Sequence, residues 1–342
     1  MRFSVIICTY NYAHLLPDAL KSVAAQTLQD FELVIVDDGS TDNTEQVAEQ
    51  FRPQFQDFRY IKKPHAGPAD ARNVGARATR GTHVAFLDAD DLWSPNYLST
   101  MREALSAHPQ PDLALCEGIT FRSENGIVTD AALNPGLPPL NGPVHSPQDM
   151  FRIIQLVAPS GMVFSKDLYK RNGPFDVESF GWFSEDLDWA LRALMAGGFC
   201  CCVKQRLYLY RRHADNLTNK ASNSFRSWLK IYSQTLRVAR RDPQAEALAR
   251  GIIRSRSIRF LPTCSTSEGR LLLKRAVETL GGDPLITVYY FGTYIGLVSL
   301  LKFLKQVRQI SRHIFRKRLA IPLSPSSAAV FEAVIDERLG VP

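Results

Sequence analysis

Within residues 3–91, apolar runs of strand length alternate with stretches of helical periodicity, and each run ends in polar or acidic residues. Phe3 to Cys8 reads as a strand leading into Thr9 and Tyr10. Leu16, Leu20 and Val23 then recur at i, i+4 and i+7, one face of a helix with Pro17 in its first turn. Phe31 to Val36 is a second strand, and it runs into Asp37, Asp38, Gly39 and Ser40. Asp42 with Glu45 three residues on marks the next helix start. Gly67 and Pro68 open a third helix through Ala71, Arg72, Asn73 and Gly75, with Gly81 closing it. The strand His83 to Leu87 meets the cluster Asp88, Ala89, Asp90, Asp91. Alternating strand and helix of this kind builds a largely parallel sheet, in which ligands sit at the carboxyl ends of the strands among converging loops. Those ends are where this chain keeps its acids.

From Pro95 the pattern continues as a helix and then a strand, Leu113 to Phe121. Residues 134–143 are rich in proline and glycine and read as a loop. An apolar piece, Gly161 to Phe164, precedes a helix from Glu185 in which Leu187, Leu191 and Leu194 share a face, ended by Gly197 and Gly198. Beyond about Ala221 the chain reads as helical, with no motif of its own. The expected organisation is one α/β domain in two halves, 1–115 and 116–220, followed by a helical C-terminal region, 221–342. Cys8, Cys116, Cys200, Cys201, Cys202 and Cys264 show no zinc-ligand spacing. Three of them are consecutive, which suits buried thiols in a reducing, cytoplasmic compartment better than a disulfide framework. Residues 1–8 lack the features of a secretory leader.

Asp88, Asp90 and Asp91 at one strand end repel one another unless a hard cation neutralises them. Magnesium or manganese bridging to a diphosphate is the natural occupant, acting as a Lewis acid towards a leaving phosphate. The simpler reading is a turn in which Asp91 caps the helix near Pro95. Asp37 and Asp38 are ordinary turn formers before Gly39. Tyr10 ends the neighbouring strand, however, where its ring can stack on a base while a carboxylate accepts the base's N–H. Arg72, in the first turns of its helix, can serve a phosphate together with the helix dipole.

Four segments in order, Ser-Val-Ile-Ile-Cys-Thr-Tyr-Asn (4–11), Val-Asp-Asp-Gly-Ser (36–40), Ala-Arg-Asn-Val-Gly (71–75) and Phe-Leu-Asp-Ala-Asp-Asp (86–91), resemble the donor-site motifs of glycosyltransferase family 2. The resemblance covers roughly residues 1–215. It implies a GT-A fold with a Rossmann-like mixed sheet, a nucleotide-diphospho-sugar donor such as a UDP-sugar, a divalent metal (Mn2+ or Mg2+) and inversion at the anomeric carbon. Carried over by residue, Tyr10 and Asp38 bind the base, Arg72 lies near the diphosphate, Asp88 contacts ribose or metal, and Asp90 is the main metal ligand. Thr9, Asp37 and Asp91 support them. A single displacement needs a base facing the acceptor hydroxyl. Ser184, Glu185, Asp186 resemble the family's Glu-Asp motif, which makes Asp186 the expected base with Glu185 in support. His213, in Tyr-Arg-Arg-His, resembles the late histidine that reaches the metal or diphosphate. The expected acceptor is a glycan or lipid-linked hydroxyl.

Lys302 to Arg318 holds seven basic residues and no acid, against a net charge of +7 for the whole chain, so the rest is electrically balanced. Phe303, Val307, Ile310 and Ile314 fall on one helical face of this stretch and Lys305, Arg308, Arg312 and Arg316 on the other. Leu285 to Leu301 before it is an uncharged run of 17 residues with three tyrosines, marginal for a bilayer span. Residues 285–318 are therefore expected to contact an anionic membrane surface, at the inner face of the cell membrane. Two other readings are disfavoured. A sugar nucleotidyltransferase should carry a glycine-rich, basic phosphate loop where Thr9, Tyr10 and Asn11 stand, and a nucleic-acid binder should pair aromatic and basic motifs outside the tail. A third, a non-catalytic nucleotide-binding membrane partner, is opposed by the presence of Asp90, Asp186 and His213 together.

Overall fold

The computed structural model of the protein describes residues 1–107, 112–124, 127–133, 136–144, 146–154, 156, 158–178, 184–217, 229–231, 233, 236, 243–260, 266–282, 284–296, 299 and 321–322. The chain divides into two compact units, one of residues 1–145, 152–213 and 319–342, the other of residues 146–151 and 214–318.

The first unit begins with β1 (Phe3–Thr9), α1 (Leu16–Ala24), β2 (Phe31–Asp37), α2 (Thr44–Phe51), β3 (Phe58–Lys62), α3 (Pro68–Ala78) and β4 (His83–Asp88). β3, β2, β1 and β4 lie side by side and parallel. Val5, Ile6 and Ile7 of β1 and Leu33 to Val36 of β2 are wholly buried, as expected of strands covered on both faces. The register matters most for function. Thr9 is level with Asp37, and Cys8 with Asp88, so three strands deliver their polar ends to one edge.

The sheet then changes character. After β5 (Leu92–Trp93) and α4 (Tyr97–Ser106) come β6 (Leu113–Glu124), β7 (Ile127–Leu133), β8 (Asn141–Pro143), α5 (Pro147–Ile154), β9 (Met162–Ser165), α6 (Lys166–Asn172), α7 (Glu185–Met195) and β10 (Phe199–Arg212). β9 inserts antiparallel between β4 and β6, while β10 runs parallel to β6 and antiparallel to β5 and β8. The result is the mixed α/β sheet expected from the sequence, with helices following in the second unit.

Several boundaries differ from the sequence reading. Residues 141–143, read as loop, pair with β10, because strand order can recruit a short extended segment whatever its composition. Asp42 is not the cap of α2; the cap position is Asn43, and the Asp42 carboxylate accepts from Thr44 N and Ala13 N at 3.1 Å each. α3 ends at Ala78 rather than near Gly81. Gly81 instead donates from its amide to Ser4 Oγ and Glu32, both at 2.9 Å. On β10 Cys200 and Cys201 are buried and Cys202 is half-buried, all three as free thiols, so the expected burial holds for two of the run.

In the second unit, helices over Pro243–Phe260, Thr266–Leu280 and Pro284–Gly292 bury Ile253, Leu273, Ala276, Leu280 and Ile286 in a core of their own. The uncharged run from Leu285 is not one long helix. Its α-helix stops at Gly292, and a 3-10 turn ends at Gly296, whose φ of 84° is outside the helical range. No helix among the described residues is long and apolar enough to cross a membrane. The basic segment 302–318 lies outside the described residues.

At the amino ends of the strands, Glu32 is a buried carboxylate in an otherwise apolar strand. Burial alone raises its pKa, but hydrogen bonds from Ser4 Oγ, the Arg80 and Gly81 amides and Arg59 hold it at about 2, against an ordinary 4.5. We expect Glu32→Gln to lower stability near neutral pH by about 2–3 kcal/mol, since an amide cannot accept from all these donors. A carboxyl depressed on folding stabilises above its unfolded pKa of 4.5, and this contribution is lost as pH falls towards about 2. Urea unfolding should accordingly show wild type and variant converging in acid; a gap unchanged near pH 3 would contradict the assignment.

Candidate functional site

α3 is drawn close to the sheet by Gly75. A Cβ there would stand 2.6 Å from Ile6 Cγ2, so any larger residue would push the helix outward. This close approach sets the depth of Arg72 one turn earlier, which is buried beneath the ends of β1 and β4. Its Nη2 donates to Asp88 Oδ1 at 2.9 Å and its Nη1 to the Glu185 carboxylate. Asn73 beside it clamps a second segment: its Nδ2 donates to Phe175 O at 2.8 Å, and its Oδ1 accepts from Phe175 N at 2.8 Å. Neighbouring residues of one helix therefore tie the donor-side strands to the approach and the start of α7.

The acidic cluster divides into two kinds of carboxylate. Asp91 is buried and faces inward, its Oδ2 accepting from Ser160 Oγ at 2.6 Å and its Oδ1 from Arg211 N at 2.9 Å. It does not cap the helix near Pro95, whose cap position is Asn96. Asp90 is also buried, with its Oδ2 at 3.0 Å from His213 Nε2. The turn that separates them is held by Arg211, whose Nε donates to Asp90 O at 2.8 Å and whose Nη2 donates to Asp18 Oδ2 at 2.8 Å. Ser160 also accepts from Asp88 N at 3.1 Å, so one hydroxyl fixes both ends of the cluster.

Charge is crowded here. Burial, then Asp90, then Asp88 push the Asp91 carboxyl well above the usual range. Burial also raises Asp88, and the nearby Arg72 opposes the rise while Asp90 adds to it. Asp186 at the start of α7 is pushed up to about 7 by burial and by Glu185, with Arg72 acting against them. The Asp186 Oδ1 accepts from Leu187 N at 2.9 Å. Ser184, just before it, holds φ at 65°, a conformation uncommon for a residue with a side chain and often found where function fixes the backbone.

At the ends of β1 and β2 the expected base-binding residues adjoin one another. Tyr10 is 39% exposed, and the Thr9 hydroxyl beside it is buried without a hydrogen-bond partner among the described residues. Asp37 is turned inward to Ser40 N at 2.7 Å and Tyr60 OH at 2.5 Å, so it shapes the turn. Asp38 faces the segment 63–67, accepting from Ala66 N at 3.0 Å and Gly67 N at 2.8 Å.

Asn73, Ser160 and Arg211 escaped the sequence reading as site residues. Arg211 was legible in part, because strand alternation places it on the same face as Leu207 and Leu209, and an arginine on a buried face needs a partner. Nothing in the local sequence marks Ser160, which acts only through residues about 70 positions away, Asp88 and Asp91. Among the described residues no group of three or more His, Cys, Asp or Glu side chains forms a metal cage. Asp90 and His213 together offer one oxygen and one nitrogen donor.

Residues 4–143 match the glycosyl transferase family 2 profile. An uncharacterized glycosyltransferase of Nostoc is 49% identical over 104 residues, 30% of this chain and 32% of that protein, so the chain spans about a third of that relative. The putative glycosyltransferase EpsH of Bacillus subtilis is 24% identical over 98% of this chain and 97% of its own. Among solved structures, Staphylococcus aureus TarS 1-349 in complex with UDP-GlcNAc superposes with a TM-score of 0.63 at 22% identity, covering 83% of this chain and 82% of that one. The mannosyltransferase PcManGT of Pyrobaculum calidifontis, in complex with GDP-Man and Mn2+, gives 0.55 at 18% identity over 98% and 88%. These structural likenesses establish a shared fold.

The Arg72 bridge yields a direct test. Arg72→Met should destabilise the protein by about 3 kcal/mol or more, since it leaves two carboxylates facing each other without a cation. Adding Glu185→Gln to that variant should recover part of the loss, because the two changes act on one interaction. Strictly additive effects in denaturant unfolding would show that the bridge carries little.

Proposed function

We propose that this chain, which belongs to glycosyl transferase family 2, moves a sugar from a nucleotide-diphospho-sugar of the UDP-sugar type to a hydroxyl of a glycan or lipid-linked acceptor, with inversion. The observation that carries the reading is the Arg72 bridge. It joins Asp88, at the donor-side strand end, to Glu185, the residue beside the candidate base. In this reading donor and acceptor chemistry meet across one arginine.

In this reading Tyr10 and Asp38 receive the base, and Thr9 offers its hydroxyl nearby. Arg72 holds Asp88 in place beside the diphosphate. Asp90 and His213 would hold a magnesium or manganese ion, with remaining positions filled by diphosphate oxygens and water, the usual manner of magnesium at phosphates. The donor set suits such an ion, and burial together with the neighbouring Asp90 raises the carboxyls of Asp88 and Asp91, a cost that a cation would relieve. The ion would neutralise charge gathering on the leaving diphosphate. PcManGT, whose structure holds GDP-Man and Mn2+, supports the same inference by its fold. Asp186 takes the proton from the acceptor hydroxyl, and a carboxyl near 7 matches that task at neutral pH.

We expect Asp186→Asn to retain UDP binding while transfer falls by about 10²–10⁴-fold, the usual worth of a general base. Activity of the wild type should drop on the acid side of about pH 7, because protonated Asp186 cannot accept a proton. Asp90→Ala should instead weaken UDP binding and make it insensitive to EDTA. Calorimetry and a transfer assay over a nucleotide-sugar panel separate the two; full transfer by Asp186→Asn would remove it as base.

The second unit supports a membrane-linked acceptor. Leu285, Val288, Phe291 and Tyr294 are spaced three apart and all exposed, Val288 and Phe291 to 67% and 62%. The sequence continues into the uniformly basic stretch 302–318. Apolar anchors beside cationic residues suit an anionic bilayer surface. Full-length protein should co-sediment with phosphatidylserine vesicles, and a Val288→Ser, Phe291→Ser variant much less. Equal binding by both would count against this surface.

A further inference from the structure

The ring of His65 lies parallel to that of Tyr10, with centroids 3.9 Å apart and an interplanar angle of 13°. The same imidazole approaches Asp38 Oδ2 with its Nδ1 at 2.8 Å. A flat ring stacked on Tyr10 with a ring nitrogen against Asp38 makes the two contacts that the proposed function assigns to the donor's base. Two rings at this separation leave no gap for a third between them.

Asp38 points the same way. A carboxylate offers about four lone-pair sites. Here it already meets the Lys63 ammonium, the amides of Ala66 and Gly67, and the His65 ring. Lys63 is also held by Asp70 at 2.8 Å. The backbone of this loop is tied to Asp38 through the Ala66 and Gly67 amides and packs closely on Gly39, where a Cβ would stand 2.9 Å from His65 N. Of the four donors, the His65 side chain is the one that rotation about its own bonds can remove without breaking an amide contact or the Lys63 to Asp70 pair.

We propose that His65 is a stand-in for the nucleobase, occupying the base position in the ligand-free protein and swinging out when a nucleoside diphosphate binds. This rests on the reading that the nucleotide binds at Tyr10 and Asp38. The stand-in keeps Tyr10 and Asp38 aligned in the absence of ligand. Its displacement lowers nucleotide affinity, since a ligand's apparent affinity falls with the fraction of protein whose site is open. The penalty falls on the base and spares the diphosphate.

The test is calorimetric titration of the full-length protein and its His65→Ala variant with UDP and, separately, with inorganic pyrophosphate, both in magnesium. UDP should bind the variant about five- to thirtyfold more tightly than the wild type, the loss of one stacking contact and one hydrogen bond to a charged group. Pyrophosphate should bind both alike. Unchanged or weaker UDP binding by a folded His65→Ala variant would overturn the proposal, weaker binding identifying His65 as a platform for the base. Wild type that binds no UDP would overturn the nucleotide reading itself, and this inference with it. A second readout needs no variant to bind ligand: the His65 ring resonances in a 15N-histidine spectrum should move on adding UDP and stay put with pyrophosphate. Resonances indifferent to UDP at saturation would also overturn it.

Discussion

A single buried guanidinium organises the candidate site. Arg72 contacts Asp88 at the end of a central parallel strand and Glu185 at the start of a helix 113 residues later. Arg72 and Glu185 are buried and Asp88 is half-buried, so removing the guanidinium leaves Glu185 as an uncompensated buried charge. The same guanidinium ties Glu185, at the start of α7, to the end of β4. Gly75 sets the position of the arginine, because only a residue without Cβ lets the helix approach Ile6 so closely.

The acidic turn obeys the same logic on a smaller scale. Asp91 spends its oxygens on Ser160 and the Arg211 amide, and Arg211 in turn grips the Asp90 carbonyl. Asp90 is thereby presented to His213. One carboxylate serves as a strut that fixes the turn carrying its neighbour. Burial, with the charge of the neighbouring Asp90 added to it, raises the carboxyls of Asp88 and Asp91.

Neighbouring residues in a motif can therefore have unrelated duties. Asp37 shapes a turn while Asp38 faces the loop that carries His65. In the segment 71–75, Arg72 bridges charges, Asn73 holds the backbone of Phe175, and Gly75 admits the helix to the sheet. A motif of this sort records several independent constraints that happen to share one turn of helix.

The strands β1, β2 and β4, the helices between them and the gathering of acids at the carboxyl edge were all legible from the order of residues, because hydrophobic periodicity and turn chemistry are local properties. So was the resemblance to glycosyltransferase family 2, from four ordered motifs, and residues 4–143 match that family's profile. Less visible were β3, the short strand over 141–143, and the parts played by Ser160 and Arg211, since each depends on a partner far away in the chain. Sequence alone determined that polar and acidic residues gather at the carboxyl ends of β1, β2 and β4. Only the tertiary structure decided which carboxylate faces inward, that Arg72 joins two distant acids, and that His65 covers Tyr10. Ion pairs and stacked rings are settled by proximity in space, which residue order does not encode.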